Sequence, residues 1–147
     1  ILSGDNTSRL YRAFIDTAKA TEVSTYCFET YDPGLFISYI SLAPKTTHTE
    51  AERILLAEYE TIKNKAITSA ELARAKRVVR KYVASRRDGP YAFLSSLNED
   101  LAAGDWTRFV TQPEQILKVT AAEVQRVART YLTEDQSTFG QFINTSA

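Results

Sequence analysis

The chain has 147 residues, 44% hydrophobic and 24% charged, which suits one ordinary globular domain and excludes a disordered or fibrous polypeptide. Its 18 Lys and Arg balance its 18 Asp and Glu, so no net charge draws it toward nucleic acid or an anionic membrane. A single cysteine excludes an internal disulfide, and no apolar run approaches the roughly 18 residues of a membrane span.

The chain opens with Ile1-Leu2-Ser3-Gly4 and contains no Met, so it is expected to be part of a longer chain. An apolar pair followed by Gly reads as the end of a helix. Asp5-Asn6-Thr7-Ser8 then offers caps for a helix carrying Leu10, Tyr11, Phe14 and Ile15. Val23 to Tyr31 and Leu35 to Leu42 are rich in β-branched and aromatic residues and flank the turn sequence Asp32-Pro33-Gly34, the pattern of an antiparallel hairpin.

Beyond the hairpin, a Thr is followed three residues later by Glu at Thr47/Glu50, Thr68/Glu71, Thr111/Glu114 and Thr120/Glu123. In a capping box the Thr oxygen accepts from a free amide of the first turn, and the Glu reaches back to the amide of the cap residue. Each pair is therefore expected to start a helix. After Thr47, Ala51, Ile54, Leu55, Tyr59 and Ile62 make one helical stripe, ending at about Lys65. After Thr68 come Leu72, Ala75, Val79, Tyr82 and Val83, until Asp88-Gly89-Pro90 breaks the helix. Helical spacing resumes with Phe93, Leu94, Leu97 and Leu101 and stops at Ala103-Gly104-Asp105. Val124, Val127, Ala128, Tyr131 and Leu132 follow Thr120, and Ser137 to Ile143 reads as a last strand. The order predicts an α+β domain with helices packed on one face of an antiparallel sheet.

Chemistry-bearing residues are sparse. A zinc site needs several His, Cys or carboxylate ligands held close together. His48 is the only histidine, and Glu52 one turn on is the only candidate ligand on its face, with Cys27 in another element. Neither H-E-x-x-H nor the inverted H-x-x-E-H occurs, and there is no G-x-S-x-G. Gly4, Gly34, Gly89, Gly104 and Gly140 are isolated, so no phosphate loop is present. His48 reads as a solvated residue of a first helical turn, and Cys27 as a buried, inert thiol. Trp106 and Phe109 read as local core. Arg74, Lys76, Arg77, Arg80, Lys81, Arg86 and Arg87 crowd one helix. They form either a face for anions or acidic peptides, or a solvated surface offset by Glu50, Glu52, Glu58 and Glu60; the zero net charge favours the second. No catalytic, cofactor-binding or metal-ligating residue is assigned.

Four stretches, in order, resemble the pitrilysin, insulinase and mitochondrial processing peptidase family, the inverted-motif zinc proteases. Gly4 to Arg12 is similar to the family's glycine-rich segment leading into S-R-L-[FY]. Asp32-Pro33-Gly34-Leu35-Phe36 resembles a hairpin phrase of bacterial members. Thr68 to Lys76 is similar to "t-x-x-E-L-x-x-A-K", and Val119 to Leu132 to "VT-x-x-d-v-x-x-v-a-x-x-y-l". The resemblance implies a LuxS/processing-peptidase-like metallohydrolase fold and makes residues 1–147 a single non-catalytic domain, with its leading strand and helix body missing. It also implies that zinc is held by H-x-x-E-H and a later Glu in a preceding domain. That domain and a second protease half would be the partners, enclosing an unfolded peptide substrate; the compartment implied is the bacterial periplasm or cell envelope. Halves without zinc often carry an Arg and a downstream Tyr that contact substrate. The matching positions here are Ile15 and Glu22, which implies the second domain of the zinc-bearing half, or a scaffold domain of a proteolytically inactive relative. Gly89-Pro90 interrupts a helix that runs on in most of the family.

Overall fold

The computed structural model describes residues 1–28 and 30–143. Its fold is α+β. Two strands, β1 (Ala20–Cys27) and β2 (Phe36–Leu42), pair antiparallel with a register irregularity between Ala20 and Glu22. Five helices follow: α1 (His48–Asn64), α2 (Ser69–Ser85), α3 (Gly89–Ala102), α4 (Arg108–Lys118) and α5 (Ala121–Tyr131).

The segment before the hairpin is one widened turn rather than a regular helix. Tyr11–Ile15 is π-helical, with the Asp16 amide donating to the Tyr11 carbonyl at 3.2 Å. That turn drives Leu10 and Phe14, four residues apart and so on one face, into full burial. They form the main core with Ala20, Ala51 and Leu55, and Val23, Ile40, Leu42 and Tyr59 pack around them. Strand alternation explains the choice of residues. Val23 lies opposite Ile40 and Thr25 opposite Ser38, so these pairs share the face turned to α1. The Ser38 and Tyr59 hydroxyls complete that contact at 2.5 Å. A second cluster of Ile62, Ile67 and Ala128, bordered by Leu72, Val124 and Leu132, fixes the end of α1 against α5.

Three of the four expected helix starts are present. Thr47 caps α1, accepting from the Glu50 amide, while Thr68 and Thr120 form complete capping boxes with Glu71 and Glu123. Thr111 does not start a helix: it lies one turn inside α4, where its hydroxyl donates to the Thr107 carbonyl. The start moves upstream because Asp105 takes both the amide and the hydroxyl of Thr107 on one carboxylate oxygen. Pro113 then sits inside α4 and deprives the Phe109 carbonyl of its helical donor. The Arg87 guanidinium donates to that carbonyl instead, at 2.5 Å, and lies over the Phe109 ring. The break after α2 falls where expected. Gly89 adopts φ +85 and Pro90 occupies the first turn of α3.

Four other expectations are corrected. Ser137 to Ile143 forms no strand, since it pairs with neither outer edge of the β1–β2 sheet; Phe142 is 90% exposed. Two strands therefore replace the expected three. The hairpin strands cover Ala20–Cys27 and Phe36–Leu42 rather than Val23 to Tyr31 and Leu35 to Leu42. Cys27 is an exposed free thiol, since it lies at the turn end of the hairpin, opposite the half-exposed Phe36. Trp106 is 56% exposed at the turn into α4, although Phe109 beside it is buried.

Candidate functional site

Two of the motifs that carry the family resemblance meet in space. Arg9, from the Ser8-Arg9-Leu10-Tyr11 stretch, donates from Nε to Glu71 Oε1 at 3.0 Å. The other oxygen of Glu71 accepts from the Thr68 amide and hydroxyl, each at 3.0 Å. One carboxylate thus caps α2 and clasps the N-terminal segment. Burial by itself would push the Glu71 carboxyl up, but the bonds from Arg9 and Thr68 outweigh it and pull it down to about 2. A turn further along α2, Arg74 donates to the Thr7 carbonyl at 3.3 Å and lies near Asp5. The Asp5 carboxyl is held low chiefly by its hydrogen bonds from Thr7.

The basic run of α2 and the two residues that follow it divides into two groups. Arg74, Lys76, Arg86 and Arg87 are spent on internal contacts. Lys76 donates to the Leu117 carbonyl at 2.7 Å, and Arg86 reaches Gln112, the Ser96 carbonyl and the carboxylate of Asp100. Asp100 is 1% exposed, so the Arg86–Asp100 pair is a buried hub joining α2, α3 and α4. Arg77, Arg80 and Lys81 enter no ion pair among the described residues and are exposed. The acids of α1 do not offset this helix directly: Glu50 pairs with Lys19, and Glu60 with Lys63. Between α2 and α4 runs a groove of 250 Å³, lined by Val79, Val83, Ala84, Ile116 and Leu117 and bordered by Arg80 and Arg87.

The residues screened for metal chemistry stay apart. His48 is half-buried in the first turn of α1 and Cys27 lies at the hairpin end. Among the described residues no group of three or more His, Cys, Asp and Glu side chains could hold a metal ion. No helix of the described residues is long and apolar enough to cross a membrane. The face of the hairpin turned away from α1 is aromatic, with Tyr26 opposite Ile37 and Tyr39 opposite Ser24, both tyrosines about half exposed. Phe28 meets Tyr26 edge to face at 6.0 Å. At the tip, Tyr31 lies on Gly104 so closely that a Cβ there would come within 2.5 Å of the ring. The clasp and the Arg86 hub carry no local signal in the sequence, because their partners lie 62 and 14 residues apart.

This arrangement sets a hairpin backed by α1 beside an SRL[FY]-like turn clasped to α2. The family pattern described as the peptidase M16 inactive domain matches residues 1–79. The chain belongs to the peptidase M16 family, as an inactive domain. It is similar to a crystal structure of a candidate zinc protease from Bordetella pertussis Tohama I, at 30% identity over 99% of this chain and 80% of that one, with a TM-score of 0.86. It is also similar to the inactive peptidase domain of a candidate zinc protease from Bordetella parapertussis, at 29% identity over 100% of this chain and 79% of that one, with a TM-score of 0.88. A protease from Helicobacter pylori shares the fold, at 22% identity over 92% of this chain and 33% of that one, with a TM-score of 0.83. No curated protein matches the chain.

Proposed function

We propose that this chain is a non-catalytic wall of a chamber in which a zinc metalloendopeptidase cuts unfolded peptides. The metal and the attacking water would then belong to a preceding domain bearing H-x-x-E-H, with a second protease half closing the chamber. Membership of the inactive-domain family carries this reading. The uncovered aromatic face of the hairpin supports it. Tyr26 and Tyr39 offer flat, partly apolar contact with a polar tip, which tolerates many peptide sequences. The test joins the chain to a zinc-bearing domain of the same protease and follows hydrolysis of an unfolded peptide. Omitting this chain should abolish turnover, and Tyr26→Ser with Tyr39→Ser should raise KM more than it lowers kcat. Turnover that is unaffected by omitting the chain would refute the reading.

One observation favours a second reading, a scaffold domain of a proteolytically inactive relative. Ile15 packs against the core and Glu22 is exposed on β1, at the positions where substrate-contacting halves carry Arg and Tyr. Stoichiometric zinc together with peptide cleavage in the assembled protein would eliminate the scaffold.

A further inference from the structure

The groove between α2 and α4 has an apolar floor and a one-sided charge. Val79 and Val83 supply one wall, and Pro113, Ile116 and Leu117 supply the other. Its 250 Å³ is below the roughly 300–1,000 Å³ usual for small-molecule pockets, and it is half open to solvent, which suits side chains from a polypeptide better than a compact ligand. Along the rim and the adjoining surface of α2 stand Arg80, Arg77 and Lys81, which have no acidic partner among the described residues. Arg87, also on the rim, is already held by the Phe109 carbonyl and ring.

The walls decide the form of the occupant. Both are α-helices, whose backbone groups are paired within the helix. Of the α4 carbonyls near the groove, Phe109 accepts from Arg87 and Leu117 from Lys76. An added β-strand would need free backbone donors and acceptors, and this groove offers it none. A third helix laid between two others needs only an apolar stripe with side chains three and four residues apart.

We infer that the α2–α4 groove docks an amphipathic helix of a partner polypeptide, apolar on the face that enters the groove and acidic along the edge that meets Arg77, Arg80 and Lys81. The charge complementarity selects the partner: an acidic border is attracted by Arg80 on the rim and by Arg77 and Lys81 on the adjoining surface of α2, whereas a basic border meets repulsion from the same cations. This docking is independent of the chain's role in proteolysis, because it uses neither the hairpin face nor a metal.

The test is fluorescence anisotropy of the whole chain with two labelled synthetic helices. Both carry the same leucine stripe; one is bordered by Glu and the other by Lys. The Glu-bordered helix is expected to bind about tenfold more tightly at low salt, with the difference shrinking as salt rises. Arg80→Glu with Lys81→Glu should reverse the preference. Both side chains are exposed and unpaired, so circular dichroism of this variant should match the parent. Val83→Asp should weaken both helices alike. Equal binding of the two helices, or a preference unmoved by Arg80→Glu with Lys81→Glu, would overturn the inference. So would heparin competing as well as the acidic helix, which would make the face a general polyanion surface.

Discussion

Replacing Glu71 by Gln isolates the charge in the contact that joins the N-terminal segment to α2. Gln retains an oxygen that can accept from the Thr68 amide, so the helix cap survives while the ion pair to Arg9 is lost. A carboxyl that titrates at about 2 in the folded chain, against 4.5 ordinarily, contributes at most about 3 kcal/mol at neutral pH. Water reaches the 20% of the side chain that is exposed, which lowers the expectation to about 2 kcal/mol. For a chain of this size that is a fall of about 6 °C in Tm. The folded value is depressed, so the contribution is complete above 4.5 and is lost as pH falls toward 2. Urea unfolding followed by circular dichroism should therefore show parent and variant far apart at about pH 7 and less than half as far apart at about pH 3. A gap that stays constant across that range, or no gap at neutral pH, would refute the ion-pair argument.

Three further outcomes are expected. Thr120→Ala should lower stability by about 1 kcal/mol, by removing the hydroxyl that accepts from the Glu123 amide, and thermal denaturation measures it. Gly104→Ala and Gly89→Ala should each cost about 1 kcal/mol, because both glycines adopt positive φ. The two costs should be similar: Tyr31, whose ring supplies the three nearest atoms to a Cβ at Gly104, is 80% exposed and free to swing aside, whereas Gly89 has open space. A much larger loss at Gly104 would show that Tyr31 is fixed there. Asp100→Ala should cost about 3 kcal/mol in urea unfolding, since it removes the buried carboxylate facing the Arg86 guanidinium and leaves the exposed Glu99, at 3.8 Å, as its acidic partner.

The parts of the fold that could be read in the sequence are those decided within a few residues. Thr47, Thr68 and Thr120 announce their helices because the cap oxygen and the amide that donates to it lie three residues apart. Asp88-Gly89-Pro90 announces a break for the same local reason. Thr111 carries the same signal, yet Asp105 captures Thr107 first and the helix begins a turn earlier. Ser137 to Ile143 has the composition of a strand, but a strand also needs a neighbour, and composition does not supply one. The clasp between Arg9 and Glu71 spans 62 residues, so no local pattern marks it, although each partner lies in a stretch that carried the family resemblance. The basic helix is legible only in part: Arg77, Arg80 and Lys81 are solvated as expected, whereas Arg86, Arg87 and Lys76 go to Asp100 and to backbone carbonyls of α3 and α4, partners that no nearby pattern marks.

The central claim is that the hydrolytic metal is held outside this chain. Zinc content of the purified chain, measured beside hydrolysis of an unfolded peptide with and without chelator, tests it most directly. The account predicts far less than one zinc per chain and no chelator-sensitive cleavage until a domain bearing H-x-x-E-H is added. One tightly held zinc per chain, with cleavage that the chelator abolishes, would contradict it.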